Sequence, residues 1–186
     1  MDLSVITSNN LQFSTDRLSI TLMNDSHWPD FQRIQADREI MKYIGPILPL
    51  DELKTKFLDR IRPFTQEEGH WLTLAIHHKI TREFIGSVGF KIASLNDQRA
   101  EIGYLVLPQY GGQGFTTEAC KVLNRFIFEE IKVRKIVAHC TTVNTGSWKV
   151  MEKIGLLREG ELKMDFCLND HWYNGYCYGL VNPLYC

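Results

Sequence analysis

One segment constrains this chain more than any other: a strand pattern runs into three glycines and then into a helix pattern. It reads Pro108-Gln109-Tyr110-Gly111-Gly112-Gln113-Gly114-Phe115-Thr116-Thr117-Glu118-Ala119. Before it, over 98–107, Ala100, Ile102, Tyr104 and Val106 alternate with Glu101, Leu105 and Leu107, the period of a strand that Pro108 stops. After it, Phe115, Ala119, Val122, Leu123, Phe126 and Ile127 share one helical face as far as about Ile131, and Lys135 to Thr141 alternates again. Strand, helix and strand in that order predict a right-handed crossover and parallel pairing of the two strands.

The other elements surround this unit. Leu18, Ile20 and Leu22 alternate as a strand, Asn24 to Ser26 supplies cap residues, and Trp28, Phe31 and Ile34 follow at helical spacing. Leu50, Leu53, Phe57 and Ile61 form an apolar stripe between Pro49 and Pro63. Segments 71–78 and 83–93 are apolar on both alternating sets and read as interior strands. Asn144 caps a short helix through Ile154 that Gly155 ends, and two strand patterns, 158–167 and 172–181, flank an Asn169-Asp170 hairpin turn. The order is strand, helix, helix, three strands, helix, strand, helix, two strands: a mixed α+β chain with a mostly antiparallel sheet. With no repeat or linker in it, 1–186 reads as a single domain whose first ~12 residues are expected to be loose.

Composition narrows the function classes. The 186 residues are 44% hydrophobic and 23% charged, as in a globular protein, and 21 Lys and Arg against 22 Asp and Glu leave a net charge of -1. That balance argues against nucleic-acid binding, and the densest basic cluster, Lys132, Arg134 and Lys135, reads as a solvated rim. No run approaches the ~18 apolar residues of a membrane span and the N-terminus lacks a leader pattern, so a cytoplasmic protein is expected, with no membrane partner. Cys120, Cys140, Cys167, Cys177 and Cys186 read as reduced thiols. His77 and His78 face opposite ways on a strand, and His139 and His171 lack ligands nearby in sequence, so no metal site is expected.

The glycine segment is where chemistry is expected. Glycines let the chain turn sharply and let an anion approach the first helical N–H groups, which have no partner within the helix and sit at its positive end. The GxxxxGK[ST] loop is absent because no lysine follows the last glycine, and GxGxxG is absent because Thr117 stands at the third glycine's place. Taken by itself the segment serves equally well as a plain helix start.

It does not stand by itself. Gln109-Tyr110-Gly111-Gly112-Gln113-Gly114 resembles the [QR]xxGx[GA] signature of the GNAT acyltransferases. Asn144, Ser147, Val150, Lys153 and Gly155-Leu156 resemble a stretch of that family's RimJ/RimL branch, the ribosomal-protein N-terminal acetyltransferases. Thr15-Asp16-Arg17-Leu18, Glu101-Ile102-Gly103-Tyr104, Thr117-Glu118-Ala119, Glu159-Gly160 and Tyr178-Gly179-Leu180 are further landmarks. The resemblance implies a GNAT fold: a sheet of six to seven strands and about four helices, splayed between the fourth and fifth strands.

It also implies acetyl-coenzyme A as donor, its pantetheine arm pairing with backbone of Leu105, Val106 and Leu107, its pyrophosphate held by Gly111, Gly112, Gln113, Gly114, Phe115 and Thr116, and Asn144 and Ser147 beside it. Gly111 departs from the branch, which carries tryptophan there, and this predicts a more mobile loop. The implied reaction is acetyl transfer to a primary amine by direct attack in a ternary complex. The N–H near Val106 would polarise the carbonyl, Ser147 would donate to the departing sulfur, and Glu101 would take the amine's proton. Each has a bland counterpart: Ser147 and Asn144 as helix-start residues, Glu101 in a structural ion pair. The acceptor is left open between a protein N-terminus and a small amine, with segments 43–50 and 63–69 as expected walls. Trp28, Trp71, Trp148, Trp172, Tyr43 and Tyr173 are expected to pack the core or floor a pocket, the core being the first expectation for each singly. A homodimer is left open, and the alternative function is an acetyl-coenzyme A sensor without turnover.

Overall fold

In the computed structural model, which describes residues 1–6 and 11–185, the alternating segments become strands of one sheet. The strands are β1 (Gln12–Ser14), β2 (Leu18–Leu22), β3 (Trp71–His78), β4 (Phe84–Ser94), β5 (Arg99–Val106), β6 (Lys135–Thr141), β7 (Leu157–Leu168) and β8 (His171–Val181). The helices are α1 (Trp28–Ala36), α2 (Arg38–Met41), α3 (Leu50–Ile61), α4 (Phe115–Glu129) and α5 (Thr145–Lys153). Spatial order is β1-β2-β3-β4-β5-β6-β8-β7, and every neighbouring pair is antiparallel except β5 with β6.

The fold is the mixed sheet expected, with eight strands where the patterns indicated seven. The additional strand, β1, is three residues long and pairs with Ser19–Thr21, too short to show a period in the sequence. Helix α2 was missed for the same reason, although Asp37 accepts from the N–H groups of Glu39 and Ile40 as a cap should. Between β7 and β8, Asn169 and Asp170 both have positive φ (50° and 62°), which gives a two-residue turn matched to strand twist. Ser4–Ile6 form a single turn, and Asp2 N–H donates to Ile131 O at 2.6 Å while Leu3 and Val5 pack on the core. The part of the expected loose stretch that falls on 7–10 lies outside the described residues, as does Cys186.

The sheet is covered on both faces. On one, Ile20, Leu74, Phe90 and Ile102 pack against Phe115, Ala119, Leu123 and Ile127 of α4 and Met151 of α5. On the other, Ala75, Phe84 and Leu107 pack against Phe31 and Ile34 of α1 and Leu53 and Phe57 of α3. Stripes spaced i, i+3 or i+4 on each helix generate these layers. Among the described residues no helix is long and apolar enough to cross a membrane.

Candidate active site

Strands β5 and β6 pair at Arg99↔Lys135, Ala100↔Ile136 and Glu101↔Val137, and then part, although β5 runs on to Val106 and β6 to Thr141. Along β5, Leu107 N–H donates to Ile85 O at 3.0 Å, so alternation turns the main-chain groups of Leu105, Gly103 and Glu101 toward β4. Those of Ile102, Tyr104 and Val106 face the gap. The gap opens into a cavity of about 650 Å³ that extends through the sheet from the α4–α5 side to the α1–α3 side.

On the α4 side the cavity is walled by Pro108, Gly111, Gly112 and Thr116. Gly112 has φ +74° and a Cβ placed there meets nothing within 4 Å, so a bulky group has free access to this stretch of backbone. Gly114, at φ +82°, caps α4, and the first α4-type bond runs from Glu118 N–H to Gly114 O at 3.0 Å. The N–H groups of Phe115, Thr116 and Thr117 are therefore left without helical partners.

Two distant landmarks of the sequence meet at this loop. Arg17 Nε donates to Glu118 Oε2 at 2.7 Å and its Nη1 to the Gln113 carbonyl at 3.0 Å, while its guanidinium lies 4.4 Å over the Phe115 ring. The Thr15 hydroxyl also donates to Glu118. Burial pushes the Glu118 carboxyl up, but the bonds from Thr15 and Arg17 outweigh it and hold the group below its ordinary range.

The opposite wall is the start of α5. Asn144 Oδ1 accepts from Ser147 N–H at 3.1 Å, so Asn144 does cap the helix while lining the cavity. The Tyr104 hydroxyl donates to the Ser147 carbonyl at 2.8 Å and lies 3.2 Å from Ser147 Oγ. Burial raises the Tyr104 phenol far above its usual value, so it stays protonated. Cys140 lines the same wall. Burial pushes its thiol up to about 11, against a smaller opposing effect of Ser147, which leaves it protonated and a poor nucleophile near neutral pH.

On the α1–α3 side, Glu101 bonds Lys91 Nζ at 3.0 Å and sits 3.7 Å from His139 Nδ1, an ion-pair rather than a hydrogen-bond distance. Burial favours its neutral form, yet the His139 imidazole and the Lys91 ammonium prevail and lower its pKa. The carboxylate is thus ionised and a weaker base than an isolated glutamate. Trp71, Thr73, Lys56, Arg60, Tyr43 and Phe31 complete this lobe, and the Trp71 ring lies against β5 where residue 103 is glycine.

Of the expected site residues, Glu101, Leu105, Val106, Gly111, Gly112, Thr116, Asn144 and Ser147 line the one cavity. Leu107 does not: it is 2% exposed, its N–H bonds Ile85, and its carbonyl accepts from Tyr110. Leu105 presents its side chain, but its carbonyl lies over Gly86 of β4, so Val106 alone of the three turns its backbone into the gap. Gln113, Gly114 and Phe115 stand outside the lining. The Gln113 side chain folds back to the Gln109 carbonyl at 2.8 Å, and the Phe115 ring is core.

Segment 63–69 is likewise absent from the walls, whose outer part comes from α1, α2 and α3. Trp71 and Tyr43 line the cavity rather than the core, and Trp172 is 58% exposed. Not expected as site residues were His139, Tyr104, Lys56 and Arg60. Tyr104 was legible as a residue whose strand precedes the loop, whereas nothing local in the sequence links the other three to it.

The family described as "Acetyltransferase (GNAT) domain" matches residues 17–157, well over half the chain. The curated protein "Uncharacterized N-acetyltransferase YnaD" of Bacillus subtilis is 25% identical over 92% of this chain and 97% of its own length. A GNAT-family acetyltransferase from Bacillus anthracis shares the fold at a TM-score of 0.81 and 24% identity, covering 92% of this chain and 99% of that one. A spermidine N-acetyltransferase from Vibrio cholerae, solved with CoA and spermine, does so at 0.79 and 18% identity, covering 92% and 99%.

Proposed function

The chain belongs to the GNAT acetyltransferase family and is an N-acetyltransferase, and from that premise we propose that it transfers acetyl from acetyl-coenzyme A to a primary amine by direct attack inside the β5–β6 gap. The observation that carries this reading is one continuous cavity joining an unpaired strand edge, a helix N-terminus with open glycine backbone, and an ionised carboxylate on the far side.

The donor supplies a thioester, already an activated acyl group. Gly111, Gly112 and the first N–H groups of α4 hold its diphosphate, and the arm extends along β5 where Val106 offers an N–H and a C=O. The same Val106 N–H polarises the acyl carbonyl as negative charge develops on its oxygen. Ser147 Oγ, at the start of α5, donates to the departing sulfur, with Tyr104 orienting the serine. Because Glu101 is ionised and paired with Lys91, it orients the amine and stabilises a cation at His139, while His139 takes the proton. Cys140 stays a thiol, so no acyl-enzyme is invoked.

Release of free thiol from acetyl-coenzyme A, measured over a panel of amines, tests the proposal. Acceptor-dependent release is expected. Coenzyme binding without it would support a sensor, and displacement of coenzyme A by ATP would support a nucleotide-binding protein instead. The RimJ/RimL resemblance of 144–156 favours a protein N-terminal amine as acceptor, with a small amine as the other reading, and the proposed location is the cytoplasm.

A further inference from the structure

Resting on the transferase reading, the structure points to the chemistry of the acceptor: we infer that the amine it takes also carries a carboxylate, which docks on Arg60 and Lys56 beside Thr73.

The acceptor lobe holds carboxylates and cations, and they do not balance. Glu39 is bonded by Lys42, and Glu101 by Lys91 at 3.0 Å. Lys56 and Arg60, one turn apart on α3, have no carboxylate within salt-bridge range among the described residues. The ammonium of Lys56 meets only the neutral Gln35 Oε1 at 3.0 Å. The Arg60 guanidinium lies 5.1 Å over the Trp71 ring, and its sequence neighbour Asp59 is bonded by Arg62 at 2.8 Å and acts on Arg60 only as a more distant charge that burial outweighs. Thr73 Oγ1, lining the same lobe, is buried with no hydrogen-bond partner.

Two half-buried cations and an orphaned hydroxyl facing one apolar cavity form a site that is electrostatically incomplete without an anion. Burial lowers the pKa of both Arg60 and Lys56, the direction expected of cations awaiting a counterion. A planar carboxylate suits the arginine fork, with the lysine and the threonine hydroxyl completing its acceptor sites.

The same geometry sets the length of the acceptor. Arg60 lies over the Trp71 ring at 5.1 Å and Lys91, which bonds Glu101, at 5.2 Å. Arg60 and Lys91 are both held around one indole ring, which keeps the anion subsite close to the carboxylate that orients the amine. A short aminocarboxylate fits this span. A polycation such as spermidine, the acceptor named for the Vibrio cholerae neighbour, would instead bring its charges against Arg60 and Lys56.

Initial rates of thiol release from acetyl-coenzyme A decide the matter, using ω-amino acids from glycine to 8-aminooctanoate, their matched amides, spermidine, and short peptides with aspartate or asparagine second. The free-acid and peptide arms separate a small-molecule carboxylate from an acidic side chain near a chain end. At least one carboxylate should exceed its amide by about 10- to 100-fold in kcat/KM, the range of a charged hydrogen-bonded contact. Arg60→Gln should remove most of that preference through KM, costing the amide less than threefold. Arg60→Lys should restore part of it, and Lys56→Gln should act in the same direction should Arg60→Gln fold poorly. Amides or spermidine equal to or better than every carboxylate would overturn the inference and leave the transferase intact. So would an Arg60→Gln protein that binds acetyl-coenzyme A but loses both acceptor classes alike. No release with any amine would overturn the transferase reading itself, and the acceptor inference with it.

Discussion

The two halves of the cavity are made of different materials. The half proposed for the donor is main chain: an unpaired edge of β5, glycine backbone, and the first N–H groups of α4, with Arg17 and Glu118 bracing the loop from behind. The half proposed for the acceptor is side chain: Lys56 and Arg60 from α3, Trp71 and Thr73 from β3, Glu101 from β5 and His139 from β6. Main-chain donors present the same chemistry whatever the sequence, provided the backbone reaches the right conformation. A lobe of side chains can be rewritten residue by residue while the fold stands. One scaffold can thus keep a single donor and change its acceptor.

If this division is correct, damage to the donor half should be blind to acceptor, and damage to the acceptor half should not. Gly112→Val tests the strong end. A branched residue at φ +74° is strained and fills the open approach to the loop, so acetyl-coenzyme A binding by calorimetry should weaken by about 100-fold or more, with all acceptors affected equally. His139→Asn should lower kcat by about 10²- to 10³-fold with donor KM little changed. Unaltered turnover would remove His139 from proton transfer and return that role to Glu101 or water.

Ser147→Ala should cost kcat about 10²-fold, the lower end for a general acid, because a thiol is already a fair leaving group. Arg17→Ala should be milder: the loop loses its brace at Gln113 and Glu118, and donor KM rises about 10-fold, as for loss of one charged hydrogen bond, without altering acceptor preference.

The smallest effect concerns stability. Glu101 has a folded pKa below its ordinary 4.5, so its contribution is fully present above pH 4.5 and is lost as pH falls through the folded value. The Tm advantage of the wild type over Glu101→Gln should therefore shrink below pH 4.5, as scanning calorimetry can follow. An advantage that grew instead would mean the ion pair with Lys91 is not what holds the group ionised.

How much was legible follows the same boundary. The crossover from 98 to 141, the cap at Asn144 and the turn at Asn169-Asp170 are local patterns, and each stands in the structure where its residues indicate. The glycine loop was readable as a backbone device because its signal is contained in six consecutive residues. Leu107 was misread because alternation alone does not say which edge of β5 a given N–H faces; the bond to Ile85 does.

By itself the sequence determined the order of strands and helices, the parallel pair, and the glycine turn that starts the helix after β5, since periods of 2 and 3.6 residues and the φ demands of glycine act over a few positions. Tertiary structure alone decided that β5 and β6 part after Glu101, that Arg17 reaches Glu118, and that Arg60 and His139 open into one cavity. Those contacts join residues far apart in the chain, and which side chains share a lobe is set by how layers close over the sheet, a choice no local pattern encodes.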